Sequence, residues 1–107
     1  LTKQGVDRAL FQIYHDRKIQ HQKKWDGLWH VVFFDIPERH RIVRDSLRKK
    51  FRDIGLYQIQ KSVFVSPYSC YKEIMFIVYL HSASSYVRYL TTKNLLQDED
   101  LRKHFSI

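Results

Sequence analysis

Leu28-Trp29-His30-Val31-Val32-Phe33-Phe34-Asp35-Ile36-Pro37-Glu38 passes from strand to helix within a few residues. Its first half is rich in β-branched and aromatic side chains, the make-up of a buried strand, and Trp25-Asp26-Gly27 ahead of it supplies a turn. Pro37 suits a first helical turn, and Glu38 suits the positive end of a helix. Between the two elements stands Asp35. A strand fixes such a side chain while the loop beyond leaves it accessible, so a metal, a metal-bound phosphate or a symmetry mate could reach it. The plainer alternative is that Asp35 only caps the following helix or its turn.

Downstream, Val43, Leu47, Phe51 and Ile54 step by four, four and three, the apolar stripe of an amphipathic helix over His40 to Ile54 that Gly55 closes. Arg41, Arg44, Arg48 and Arg52 run along the flank of that stripe at spacings of three, four and four. This guanidinium row is either a solvated face or a set of phosphate contacts. Leu56–Gln60 and Ser62–Ser66 read as two short strands with a tight joint near Gln60-Lys61, stopped by Pro67. Their alternation is only approximate, which predicts a bulge. Lys72–Leu80 reads as a second helix, although its apolar density also suits a strand. Tyr86–Leu90 reads as a fourth strand, and Asp98–Phe105 as a short terminal helix or strap.

The resulting order, strand-helix-strand-strand-helix-strand, predicts an α+β fold, a ferredoxin-like βαββαβ sandwich. Both helices would cover one face of an antiparallel sheet, and the other face would need cover from a dimer partner or a nucleic acid. Residues 1–24 stand apart. Leu1 to Tyr14 reads as a threonine-capped short helix, and residues 15–24 as a basic connector ending at the boundary of a domain over 25–107.

The 107 residues suffice for one core. A formal charge of +8 and a pI near 9.7 point to polyanionic partners, nucleic acid before anionic lipid. The single cysteine, Cys70, excludes an internal disulfide framework and fits a reducing cytoplasm. The longest apolar run, Ile74–Leu80, falls well short of the roughly 18 residues a spanning helix needs, so no membrane partner is expected. The six histidines show no zinc-site spacing with acids or cysteines, and three glycines leave little material for a phosphate loop or nucleophile elbow. Cys70 reads as a half-buried structural thiol, and Phe33, Phe34, Phe64 and Phe76 read as core. Leu1 in place of methionine suggests a piece of a longer protein.

Trp25-Asp26-Gly27-Leu28-Trp29, Phe34-Asp35-Ile36-Pro37-Glu38, Arg44-Asp45-Ser46-Leu47-Arg48 and Gln60-Lys61-Ser62-Val63-Phe64-Val65-Ser66-Pro67 together resemble the PaaX-type transcriptional regulators. The similar part of those proteins is a central domain related to the small CRISPR-associated endonuclease Cas-two. The likeness covers about residues 25–107, including Leu101-Arg102-Lys103-His104-Phe105 at the end. It implies a dimerising, DNA-associated regulatory domain, with residues 1–24 the remnant of an upstream winged-helix domain. In the endonuclease branch the aspartate ending the first strand pairs across a two-fold axis and holds a divalent cation; Asp35 matches it, which implies Mg²⁺ there across a homodimer. Gln60, Ser62 and Phe64 fall in that branch's Gln-Lys-Ser-Val-Phe run, a family motif or dimer element.

Three functions follow as expectations. The first is a Cas-two-like domain of a PaaX-like regulator that dimerises and binds DNA, with the arginine row on phosphates. The second is a metal-dependent endonuclease of CRISPR spacer acquisition, with Asp35 catalytic and the CRISPR integrase as partner. The third is a basic protein-interaction module whose partner binding is insensitive to salt.

Overall fold

The computed structural model describes residues 24–107. The helix and linker expected over residues 1–24 lie, but for Lys24, outside the described residues, as does any winged-helix remnant. Four strands, β1 (Trp29–Phe34), β2 (Tyr57–Gln60), β3 (Val63–Ser66) and β4 (Val87–Thr92), form one sheet in the order β2-β3-β1-β4. Every pairing is antiparallel. Helix α1 (Arg41–Asp53) links β1 to β2, and α2 (Tyr71–Leu80) links β3 to β4. The α+β expectation is met, and the interleaved order is compatible with a ferredoxin-like fold.

Local chemistry accounts for the elements. Leu47 and Phe51 are fully buried, Ile54 nearly so, and Val43 packs at the margin, as the stripe on α1 requires. Gly55 ends that helix at φ +111, its N–H bonding to Arg52 O and the next N–H reaching back to Phe51 O. A left-handed residue is needed there, and glycine takes that conformation without a Cβ clash. The dense apolar segment at 74–80 is helical because Ile74, Ile77 and Val78 all find core partners on the sheet. The expected bulge lies in β2 between Gln58 and Gln60. A single 3-10 turn, Ser84–Tyr86, delays the fourth strand by one residue.

The two faces of the sheet have different cover. Val32, Phe34 and Phe64 point under α1 and α2 with Leu47, Phe51, Ile74 and Ile77. On the other face a second cluster of Trp29, Val31, Val65 and Leu101 is closed by Trp25, Tyr57 and Phe105. The terminal segment forms helix α3 (Glu99–Phe105), which folds back as a strap over this outer face. A polar chain fastens it. Trp29 Nε1 and Arg102 Nε both donate to Asp98 Oδ2 at 3.1 Å, and the Arg102 guanidinium sits 4.7 Å from the centre of the Trp25 ring. These two hydrogen bonds, Arg102 first, hold the Asp98 carboxyl below the usual carboxylate range.

The strap stops short of the Asp35 end. Phe33, expected in the core, is 37 % exposed and Leu90 is 43 % exposed. Alternation along β1 puts Phe33 on the face opposite Phe34, where α3 does not reach. Among the described residues the sheet's outer face is therefore covered at one end and open at the other.

Candidate functional site

Asp35 follows β1 directly, and its N–H donates to Tyr86 O at 3.0 Å, extending the pairing with β4 one step beyond the ladder. By alternation its side chain shares the outer face with Phe33. The carboxylate is exposed and makes no hydrogen bond or ion pair among the described residues. It caps neither the 3-10 turn Glu38–His40 nor α1, which begin without side-chain caps. Phe33, Asp35, Pro37, Ser85, Tyr86 and Arg88 line a shallow hollow of about 660 Å³. Arg88 stands directly across the ladder from Phe33, hence diagonal to Asp35. Among the described residues its guanidinium bonds only the Val87 carbonyl, at 3.2 Å.

Within one copy the hollow offers a divalent cation a single carboxylate, beside a guanidinium whose positive charge opposes it. Among the described residues no three His, Cys, Asp or Glu side chains gather where they could hold a metal ion.

The arginine row divides. Arg44 and Arg48 keep only 20 % and 19 % of their side chains exposed. Arg44 Nη1 pairs with Glu38 Oε2 at 2.9 Å, and its buried Nε lies 3.7 Å from Asp45 Oδ1 without a hydrogen bond. The Glu38 hydrogen bond and the two nearby carboxylates push the Arg44 pKa up. Arg48 Nε donates to the Lys61 carbonyl at 2.8 Å, and its Nη1 reaches Asp45 at 3.3 Å. Arg41 remains 66 % exposed, with Glu38 at 3.7 Å. Arg52, also exposed, donates to Gln58 Oε1 at 3.0 Å. Arg44 and Arg48 are thus largely buried in their pairings, whereas Arg41 and Arg52 stay exposed, Arg52 with one bond to β2.

Gln60, Ser62 and Phe64 are placed apart. Phe64 is wholly buried between Phe34 and Phe51, at ring-centre distances of 6.2 and 5.5 Å. The Ser62 carbonyl accepts from Phe34 N–H at 3.1 Å, docking the β2–β3 turn against the end of β1. Gln60 is exposed on the edge strand.

A cluster on the helix-covered face joins Cys70, which the sequence marks as a structural thiol, to His30 and Tyr89, a grouping that no sequence spacing indicates. His30 Nδ1 lies 2.6 Å from Tyr89 Oη, which also accepts from Cys70 N–H at 3.3 Å. Burial pushes the Cys70 thiol up to about 12 and Tyr89 well above its ordinary value, so both stay protonated at neutral pH and neither is a nucleophile. Burial also lowers the His30 pKa, against a weaker opposing pull from Asp26. With the Cys70 N–H donating to the phenol oxygen, the Tyr89 hydroxyl can donate a hydrogen bond to an unprotonated Nδ1 of neutral His30. The fold therefore favours the neutral imidazole. His30 contributes its full stability above the unfolded pKa near 6.5 and loses it as pH falls below that value. Thermal melts should show the midpoint dropping between about pH 7 and pH 5. In His30→Gln that slope should be weaker; an unchanged slope would assign the acid sensitivity elsewhere.

Among the described residues no helix is long and apolar enough to cross a membrane. Comparison with known families matches residues 22–104 to the PaaX protein central Cas2-like domain. No curated protein and no solved structure matches the chain.

Proposed function

The chain belongs to the PaaX central Cas2-like domain family, and from that premise we propose that it is the self-associating domain of a PaaX-like regulator, adding sequence-independent affinity for DNA. The observation that carries this reading is the half-open outer face. Among the described residues, α3 covers the Trp29 end and nothing covers Phe33, Leu90 and the Asp35 hollow. Exposed apolar side chains gathered beside charged ones are the make-up of a protein interface. A second copy related by a two-fold axis would bury this end in both partners at once.

The DNA part of the proposal rests on charge. A net charge of +8 supplies a general attraction to phosphates. Within the arginine row, Arg41 and Arg52 meet phosphates, while Arg44 and Arg48 serve mainly to hold α1 in place. Converting Arg41 and Arg52 to glutamine should flatten the salt dependence of duplex binding by roughly 1.8 in slope, about 0.9 for each phosphate no longer neutralised. Sedimentation of the wild type at micromolar concentration should report about twice 13.1 kDa. A monomer at all concentrations, or a double variant with unchanged slope, counts against the corresponding half of the proposal. Cleavage of nucleic acid dependent on Mg²⁺ or Mn²⁺ and abolished in Asp35→Asn, with self-association intact, would replace this reading by the endonuclease.

A further inference from the structure

We propose that Asp35 is an ion-pair anchor of self-association, joined across the two-fold axis to Arg88 of a second copy, in the place where the family resemblance implies a metal ion. The inference rests on the self-association reading above and specifies its chemistry.

Four observations lead to it. Asp35 and Arg88 line the same hollow, yet no ion pair within 4 Å joins them inside the chain. Neither has another charged partner among the described residues: Asp35 has no side-chain hydrogen bond, and Arg88 has only a neutral carbonyl. Both flank exposed apolar side chains, Phe33 and Leu90, which lie on the same face. Finally, the hollow carries one charge of each sign, so the patch is complementary to itself.

Self-complementarity decides the occupant. An isologous contact brings residue i of one copy to residue j of the other and j to i, so a patch with one acid and one base forms two identical pairs. Two Asp35 carboxylates meeting without their arginines would repel, which is the circumstance that calls for a cation. Arg88 supplies the neutralising charge from the protein. Association of this kind weakens with salt and is indifferent to divalent cations.

Charge exchange tests the pairing. Asp35→Arg and Arg88→Asp should each raise the dimer dissociation constant roughly tenfold or more, because each sets like charges opposite one another. An equimolar mixture of the two variants should recover association as a heterodimer, detected by native mass spectrometry with one copy mass-tagged. In that mixture each reversed residue faces an opposite charge, whereas within either chain both residues carry the same sign. Circular dichroism should confirm that both exposed-site variants fold. EDTA or millimolar Mg²⁺ should leave the wild-type dissociation constant unchanged. A wild type that is monomeric throughout overturns the self-association reading and this inference with it. A wild-type dimer whose single variants associate normally, whose mixture fails to recover, or which forms only with a divalent cation overturns the pairing alone.

Discussion

Phe64→Ala is expected to cost about 3–5 kcal/mol, a large part of the roughly 5–15 kcal/mol that holds a domain of this size. The ring has no exposed surface and packs face to face on Phe34 and edge-on to Phe51. Truncation removes both aromatic neighbours' packing, and the cavity opens between two rigid layers, the sheet and α1, which leaves little scope for collapse. In urea the midpoint should fall by on the order of 2 M. Gln60→Ala and Ser62→Ala should stay within about 0.5 kcal/mol of wild type, since Gln60 is exposed and Ser62 docks through its carbonyl. The Gln-Lys-Ser-Val-Phe run is then a scaffold element whose conspicuous residue is a core residue. The contrary result, a Phe64→Ala variant as stable as wild type but unable to self-associate, would return the motif to the interface.

The helix-covered half of the core was legible in the sequence because one periodicity controlled it. Val43, Leu47, Phe51 and Ile54 lie on one side of a helix whatever they face, so their burial followed from spacing alone. The segment at 74–80 was ambiguous for the opposite reason: a helix buried on much of its circumference has little periodic contrast. Phe33 shows a different limit. Alternation separates it from Phe34, but which face the chain covers depends on where α3 lands, and that is set by Trp29 and Asp98, 69 residues apart.

The site was legible in its positions and illegible in its partners. Four arginines at helical spacing form a row in any α-helix, yet Arg48 bonds a carbonyl 13 residues away and Arg44 an acid ahead of the helix. No spacing rule reports such acceptors, and they separate a structural arginine from one available to phosphate. No sequence pattern marks Arg88, because its significance lies in register. Only the ladder places it opposite Phe33 and diagonal to Asp35, where a single base changes what a single acid can do.

Trp29→Ala is the second large effect expected, again about 3–5 kcal/mol, and it should act first on the strap. Trp29 is fully buried, lies 4.8 Å from Trp25 and 6.3 Å from Phe105 by ring centres, and donates its indole N–H to Asp98. Removing it takes the floor from under α3 and one of the two hydrogen bonds from Asp98. Trp29→Phe separates these contributions, because it retains most of the packing surface and gives up only the N–H. It should cost about 1 kcal/mol. Hydrogen exchange should show the amides of Leu101–Phe105 losing protection strongly in Trp29→Ala and weakly in Trp29→Phe; equal protection in all three proteins would mean that α3 is held by other contacts. A released strap uncovers Val31 and Val65 beside Phe33 and Leu90, joining two apolar areas into one. The Trp29→Ala protein should therefore associate beyond a dimer and do so less sensitively to salt, because apolar area would then outweigh the charges at the Asp35 end. On this account α3 confines self-association to the end of the sheet where charge complementarity selects the partner.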